Sequence, residues 1–194
     1  GNRDRAAALF KRVASLDQSD ARVQIATAAI HRQLGEHEAA LRHYERAHAL
    51  APRSGTVLAL FDAYVVNQRG PQGVALLESW LEAHSADRRV RERLAQLYVG
   101  LAQPERAQEH YAILVSQLPE NPEFLNGLAW SFTLLEDSRA VETALEALKR
   151  KPADHAIMDT VGWAYVLAGK ASLGLPYLRD AVARDASNPV IRYH

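Results

Sequence analysis

Apolar residues fall along the chain in bursts of helical spacing, separated by short polar or glycine- and proline-bearing stretches. Over 37–50, Ala40, Leu41, Tyr44, Ala47 and Leu50 share one face of a 3.6-residue helix, and over 88–100 Val90, Leu94, Leu97 and Tyr98, with Leu101 just beyond, do the same. The stretches between helices carry turn chemistry at Gly35-Glu36, Gly70-Pro71, Gln103-Pro104, Glu136-Asp137-Ser138 and Gly169-Lys170. Pro52, Pro119 and Pro152 follow alternate helices, where a residue without an N–H stops propagation. Pro122 and Pro189 suit a first helical turn. The pattern predicts helix–turn–helix units with helices of about 12–15 residues, too short to bury their apolar stripes without stacking on neighbouring pairs.

The units recur. Small residues stand at Ala40, Gly73, Ala107, Ala140 and Gly174, in steps of 33, 34, 33 and 34. Rings, a histidine first among them, stand at His31, Tyr64, Tyr98, Phe132 and Tyr165, in steps of 33, 34, 34 and 33. Helix-ending residues stand at Pro52, Ser85, Pro119, Pro152 and Ala186, with the same period. Three columns sharing one spacing mark an internal repeat. Small positions on first helices (Ala28, Ala95, Ala129, Gly162) and on second helices (Ala40, Gly73, Ala107, Ala140) leave room for close backbone approach. The rings of Tyr64, Tyr98, Phe132, Tyr165, Tyr44 and Tyr111 then fill the adjoining space, so enlarging Ala107 or Gly162 should overpack the joint.

A 34-residue period with small, aromatic and proline columns at these offsets resembles the tetratricopeptide repeat. The resemblance covers nearly all of the chain and implies an all-α solenoid, a right-handed superhelix of antiparallel helix pairs. It divides the chain into five repeats, 21–53, 54–87, 88–121, 122–154 and 155–188. Residues 1–20 look like the second helix of a cut repeat, with Ala6, Phe10 and Val13 in its columns, and 189–194 look like the start of another. The family's usual Trp near the start of the first helix is absent throughout, Ala144 stands where an aromatic is common, and Gly73 and Trp80 make the second repeat atypical. The strings NPEFLNGLAWSF (121–132), IMDTVGWAYVLAG (157–169), NPVIRYH (188–194) and ALLESWLEAHSAD (75–87) are similar to bacterial repeat proteins of exopolysaccharide and PEP-CTERM sorting systems. That finer resemblance implies a periplasmic or outer-membrane-associated scaffold in the assembly or export of surface material. Gly1 in place of an initiating Met, and the unpartnered helices at both ends, give the expectation of a trimmed piece of a longer array.

In such a solenoid the first helices line a concave face. Counting within each repeat, that face carries Arg89, Glu92, Arg93, Gln96 and Val99, then Glu123, Asn126, Trp130, Thr133 and Leu134, then Asp159, Thr160, Trp163, Val166 and Leu167. Trp130 and Trp163 are equivalent, as are Asn126 and Asp159 one turn earlier. Tryptophan and arginine are frequent energetic centres of interfaces, which makes Arg89, Arg93, Gln96, Asn126, Trp130, Asp159 and Trp163 the candidate ligand-binding strip. A packing role for both tryptophans against the neighbouring helices is the competing reading. The expected occupant is a peptide or protein segment. A carbohydrate stacked on the two indoles is the alternative. The family's clamp for acidic peptide C-termini does not match, because repeats one and two place Ile25, Ala29, Leu58 and Asp62 on that face.

Charge and composition narrow the chemistry. The chain has 23 Lys+Arg against 23 Asp+Glu, a balance that argues against affinity built on many phosphates and so against a nucleic-acid partner. The run Asp87-Arg88-Arg89-Val90-Arg91-Glu92-Arg93 reads as the polar opening of a helix, with Asp87 near its cap. Cysteine is absent, which removes disulfides, thiolate metal sites and thiol catalysis. His37-Glu38-Ala39-Ala40-Leu41 lacks the second histidine of a zinc helix, and Gly162 to Gly169-Lys170 has the wrong spacing for a phosphate loop. No enzyme constellation, metal or cofactor is expected, and no apolar run is long enough to span a membrane.

Overall fold

The computed structural model describes residues 16–184. Among the described residues there are ten α-helices and no strand: α1 (Ala21–Gln33), α2 (His37–Leu50), α3 (Ser54–Val66), α4 (Gly70–Ala83), α5 (Arg88–Gly100), α6 (Pro104–Gln117), α7 (Pro122–Leu134), α8 (Ala140–Arg150), α9 (His155–Leu167) and α10 (Ala171–Arg184). The odd-numbered helices begin at 21, 54, 88, 122 and 155, so the period read from residue columns reappears as steps of 33, 34, 34 and 33 between helix starts. The expected partial helices at 1–20 (Ala6, Phe10, Val13) and 189–194 (Pro189), together with Ala186, lie wholly or largely outside the described residues.

Local chemistry explains these bounds. Asp20, Asn121 and Asp154 cap α1, α7 and α9, their side chains accepting from the N–H groups of Arg22, Phe124 and Ala156/Ile157. Asp87 does this for α5, accepting from Val90 N–H at 3.3 Å. At α3 the device is inverted, Thr56 Oγ1 accepting from the Arg53 N–H at 3.1 Å. Second helices α4 and α6 use proline in their first turn instead. The turn inside each helix pair contains one left-handed residue, Gly35, Gln68, Ala102, Glu136 and Gly169, again spaced 33, 34, 34 and 33. At two turns the sequence places the break one or two residues late. Gly70 opens α4 and Pro104 opens α6, while the strained positions are Gln68 and Ala102, which carry side chains where glycine would be cheaper. One feature went unanticipated: Pro176 lies inside α10, where the ring removes a backbone donor.

The chain forms two compact units, Gly1–Val90 and Arg91–His194. In the first, α1 packs on α2, α2 on α3 and α3 on α4. Ala28, Ala40, Leu41, Tyr44, Leu60 and Ala63 form its core cluster, with Ile25, Ala59, Tyr64 and Leu76 against it. Asp87 ties three of its segments together, accepting from Ser54 Oγ at 2.5 Å and Trp80 Nε1 at 2.8 Å. Burial raises that carboxyl, but the hydrogen bonds from Ser54, Trp80 and the Val90 and Arg89 amides outweigh it and hold the group below its ordinary value.

In the second unit α6 packs on α7, α7 on α8, α8 on α9, and α9 on α10, while α7 also touches α9 directly. Leu148 joins three small clusters, Leu125/Ala147/Ile157, Ala129/Ala144/Val161 and Met158/Ala181. The small columns sit at contacts, as expected. Ala107 and Ala129 are fully buried. A Cβ added at Gly174 would lie 2.4 Å from the Gly162 carbonyl oxygen, and one at Gly162 would lie 2.5 Å from Leu178. Arginines stack on the ring column, Arg106 over Tyr98 and Arg139 over Phe132, each 4.1 Å from the ring centroid.

Candidate functional site

Six of the seven candidate residues belong to the second unit and can be described together. Arg89 lies in the first unit, where it is exposed. On α5, Arg93 and Gln96 are exposed. On α7, Asn126 and Trp130 are half-buried. Because α7 and α9 touch, the helices carrying Asn126–Trp130 and Asp159–Trp163 run side by side, as the repeat offsets require.

The wall is less open on α9 than expected. Residues 157–162 are buried without a break, including Asp159 at 6% exposure and Thr160 at 4%. The reason is packing: α7, α8 and α10 all press on this helix, so it shows no polar stripe over its first half. Asp159 is therefore corrected from a surface contact to a buried carboxylate. Trp163 is half-buried, with its indole nitrogen shielded.

Asn126 stands out in the strip. Its Oδ1 is buried and accepts no hydrogen bond among the described residues. A buried amide oxygen without a donor forgoes about 1–3 kcal/mol, so a groove ligand that supplies an N–H would recover that loss. On the helices flanking it and on α7 itself stand linked groups that the sequence places on the groove face or in the packing. Glu92 (α5) is half-buried, and burial followed by the charge of Glu123 (α7) raises its carboxyl. Glu123 is bound by Lys151 at 3.0 Å, and Lys151 also reaches Asp154 at 2.8 Å. Tyr111 (α6) was assigned only a packing role. Its ring lies across Gly127, where an added Cβ would sit 2.3 Å from the ring's Cε1 and Cζ. The glycine in 121–132 was the available signal, since a backbone position without a side chain next to Asn126 indicates that something approaches closely.

Two cavities flank the repeat turns. One, of about 270 Å³, lies in the second unit and includes Thr133 and Leu167 of the predicted face along with Asp137, Ala140 and Ala164. The other, of about 200 Å³, lies in the first unit between α2 and α3 and is lined by Arg32, Tyr44, Asp62, Asn67 and small apolar residues. Three of the histidines take part in ring packing: His43 stacks on His31 at 5.2 Å and bonds Gln24 Oε1 at 2.8 Å, while His48 meets the edge of Trp80. Among the described residues no group of three His, Asp or Glu could hold a metal, and no helix is long and apolar enough to cross a membrane.

A family model described as tetratricopeptide repeat matches residues 2–134. No curated protein matches the chain. Among solved structures, MamA AMB-1 is similar at 21% identity, covering 88% of this chain and 94% of its own, with a TM-score of 0.66. YrrB, described as a TPR protein with an unusual peptide-binding site, is 19% identical, covers 97% of each chain and has a TM-score of 0.67. A MamA RS-1 double mutant is 13% identical, covering 90% of this chain and 98% of its own, at a TM-score of 0.73. At these identities the likeness establishes the solenoid fold.

Proposed function

Since the chain belongs to the tetratricopeptide repeat family, we propose that it is a non-enzymatic interaction scaffold that holds a peptide or protein segment against α5, α7 and α9 of its second unit. The observation that carries this reading is Asn126, whose buried Oδ1 lacks a donor on the very strip where Trp130, Arg93 and Gln96 offer contact area. A bound segment brings N–H groups on its backbone and side chains, and one of them would satisfy that oxygen. The peptide-binding site ascribed to YrrB makes such an occupant reasonable for this fold.

A sugar stacked across both Trp130 and Trp163 has less in its favour, because Trp163 follows the buried run 157–162 and its indole nitrogen is shielded. A place in bacterial surface assembly rests on the strings at 75–87, 121–132, 157–169 and 188–194 alone. Panning random displayed dodecapeptides against the protein tests the leading reading. Recovered peptides should bind the wild type and lose binding to Trp130→Ala, with the melting temperature of that variant close to wild type. Recovery of no peptide, with polysaccharide fragments binding instead, would replace this reading by the carbohydrate one.

A further inference from the structure

Glu92, Tyr111, Glu123 and Asn126 bring together more hydrogen-bond acceptors than donors. Tyr111 is only 6% exposed, and its hydroxyl has no hydrogen-bond partner among the described residues. Burial, then the nearby charge of Glu92, pushes this phenol up to about 12, so it stays a neutral O–H at any physiological pH. Its ring is pinned over Gly127, which fixes where the oxygen stands. Glu92 accepts a single long bond, from Gln96 Nε2 at 3.3 Å, and forms no ion pair with a cation among the described residues. Its neighbour Glu123 is already engaged by Lys151. The Asn126 oxygen is buried and unused.

A half-buried carboxylate, a fixed phenolic oxygen and an orphaned amide oxygen call for one kind of visitor: a cation that carries several N–H donors. Hydrogen bonds to charged partners are the strong ones, and a buried acceptor left empty is costly. An anionic segment would meet the charge of Glu92 head-on. A metal ion would lack ligands, since no group of three suitable side chains exists among the described residues.

Resting on the groove reading above, we propose that this cluster is the specificity subsite of the groove and takes a lysine or arginine side chain from the bound segment. Glu92 supplies the charge, and Tyr111 Oη and Asn126 Oδ1 accept from the remaining N–H groups. Arginine fits better than lysine, because its five donors in a planar fork match acceptors contributed by three different helices.

The test uses the peptides recovered by panning against the whole chain. Winners should share a basic residue at one position. Each is synthesised with that residue intact and with citrulline or norleucine in its place, and affinities are read by fluorescence anisotropy at low salt. Glu92→Gln should weaken the basic peptides about tenfold while binding their neutral counterparts as well as wild type does. Tyr111→Phe, which keeps the ring on Gly127, should weaken basic peptides by a smaller factor and guards against a folding defect in the first variant. Winners without a basic residue, or equal losses for charged and neutral peptides, would overturn the subsite and leave the groove standing. Recovery of no peptide at all would overturn both.

Discussion

The α9–α10 joint makes the sharpest claim about what holds the second unit together, and Gly174→Ala tests it. The new Cβ would lie 2.4 Å from the Gly162 carbonyl oxygen and 3.1 Å from Tyr165 Cβ. An oxygen–carbon contact needs about 3.2–3.4 Å, so the helices must part locally by close to 1 Å. The obstacle is backbone, which cannot rotate aside as a side chain can. Overpacking of this kind costs about 1–3 kcal/mol, and the upper end applies here. Alanine's better helix propensity returns about 1 kcal/mol, for a net loss of roughly 2 kcal/mol. Gly162→Ala meets Leu178 Cγ and Cδ2 at 2.5 Å and the Gly174 carbonyl oxygen only at 3.1 Å; the closest obstacle is a side chain that can shift, so this variant should lose less. Gly55→Ala meets nothing within 4 Å and should gain about 0.4–1 kcal/mol by restricting the unfolded chain. Thermal melts followed by circular dichroism should therefore rank the variants Gly55→Ala above wild type, then Gly162→Ala, then Gly174→Ala. At about 2–4 °C per kcal/mol for a chain of this size, the extremes should differ by roughly 5–10 °C. A Gly174→Ala variant melting at or above wild type would refute the tight joint and with it the account of the small-residue columns.

Other expectations are independent of that joint. Ala102 holds φ at 53°, a left-handed conformation that costs a side-chain-bearing residue about 1–2 kcal/mol, so Ala102→Gly should stabilise by about 0.5–1 kcal/mol despite glycine's extra freedom when unfolded. A lower melting temperature would show that the turn is not strained. Stability should also fall in mild acid. His43 is held below its ordinary value by burial first, then by the charges of His31, Arg46 and Arg42, and burial does the same to His48. Between those depressed folded values and about 6.5 the unfolded chain binds more protons than the folded one, so stability is full above that window and drops as pH falls through it. His43→Gln should flatten the slope between pH 7 and 5 in urea titrations, and an unchanged slope would remove His43 from the explanation.

Much of the fold was legible because a solenoid writes the same demand many times. One small residue at position 40 means little, but Ala40, Gly73, Ala107, Ala140 and Gly174 repeat the demand of close helix approach, and the clashes at Gly73, Gly162 and Gly174 show why it is there. The cap column Asp20, Asp87, Asn121 and Asp154 was equally periodic, yet only Asp87 drew notice, because its charged neighbours advertised it. The turns at Gln68 and Ala102 were misplaced for the opposite reason. Glycine and proline nearby imitate the turn signal, while the residue that takes the left-handed conformation carries an ordinary side chain. Within the candidate strip, the repeat offsets put Asn126 and Trp130 on one first helix and Trp163 on the next, as in α7 and α9. They could not tell that α9 is covered on nearly every side, since burial of Asp159 depends on three neighbouring helices at once. The role of Tyr111 was hidden likewise, because a ring that fills space and a ring that positions a hydroxyl look the same in one dimension.

Tyr44 and Tyr111 show how repetition separates scaffold from recognition. They occupy the same place in their repeats, 67 positions apart, and are 9% and 6% exposed. Neither hydroxyl has a hydrogen-bond partner among the described residues. Their packing duty is therefore shared, and what differs is the company of the oxygen. Tyr44 borders a cavity that Arg32 and Asp62 also line, whereas Tyr111 feels the charge of Glu92 and lays its ring on Gly127, the residue after Asn126. In the fifth position of the repeat the first unit places Ile25 and Leu58, and the second places Glu92, Asn126 and Asp159. Apolar side chains in that row can only pack, while acceptors there must either find donors or remain unsatisfied. The difference lies in the row and not in the tyrosine, so Tyr44→Phe should leave the affinity for basic peptides unchanged where Tyr111→Phe lowers it. Equal losses from the two substitutions would mean that the phenol acts through the stability of the stack, and that no donor is bound at Tyr111.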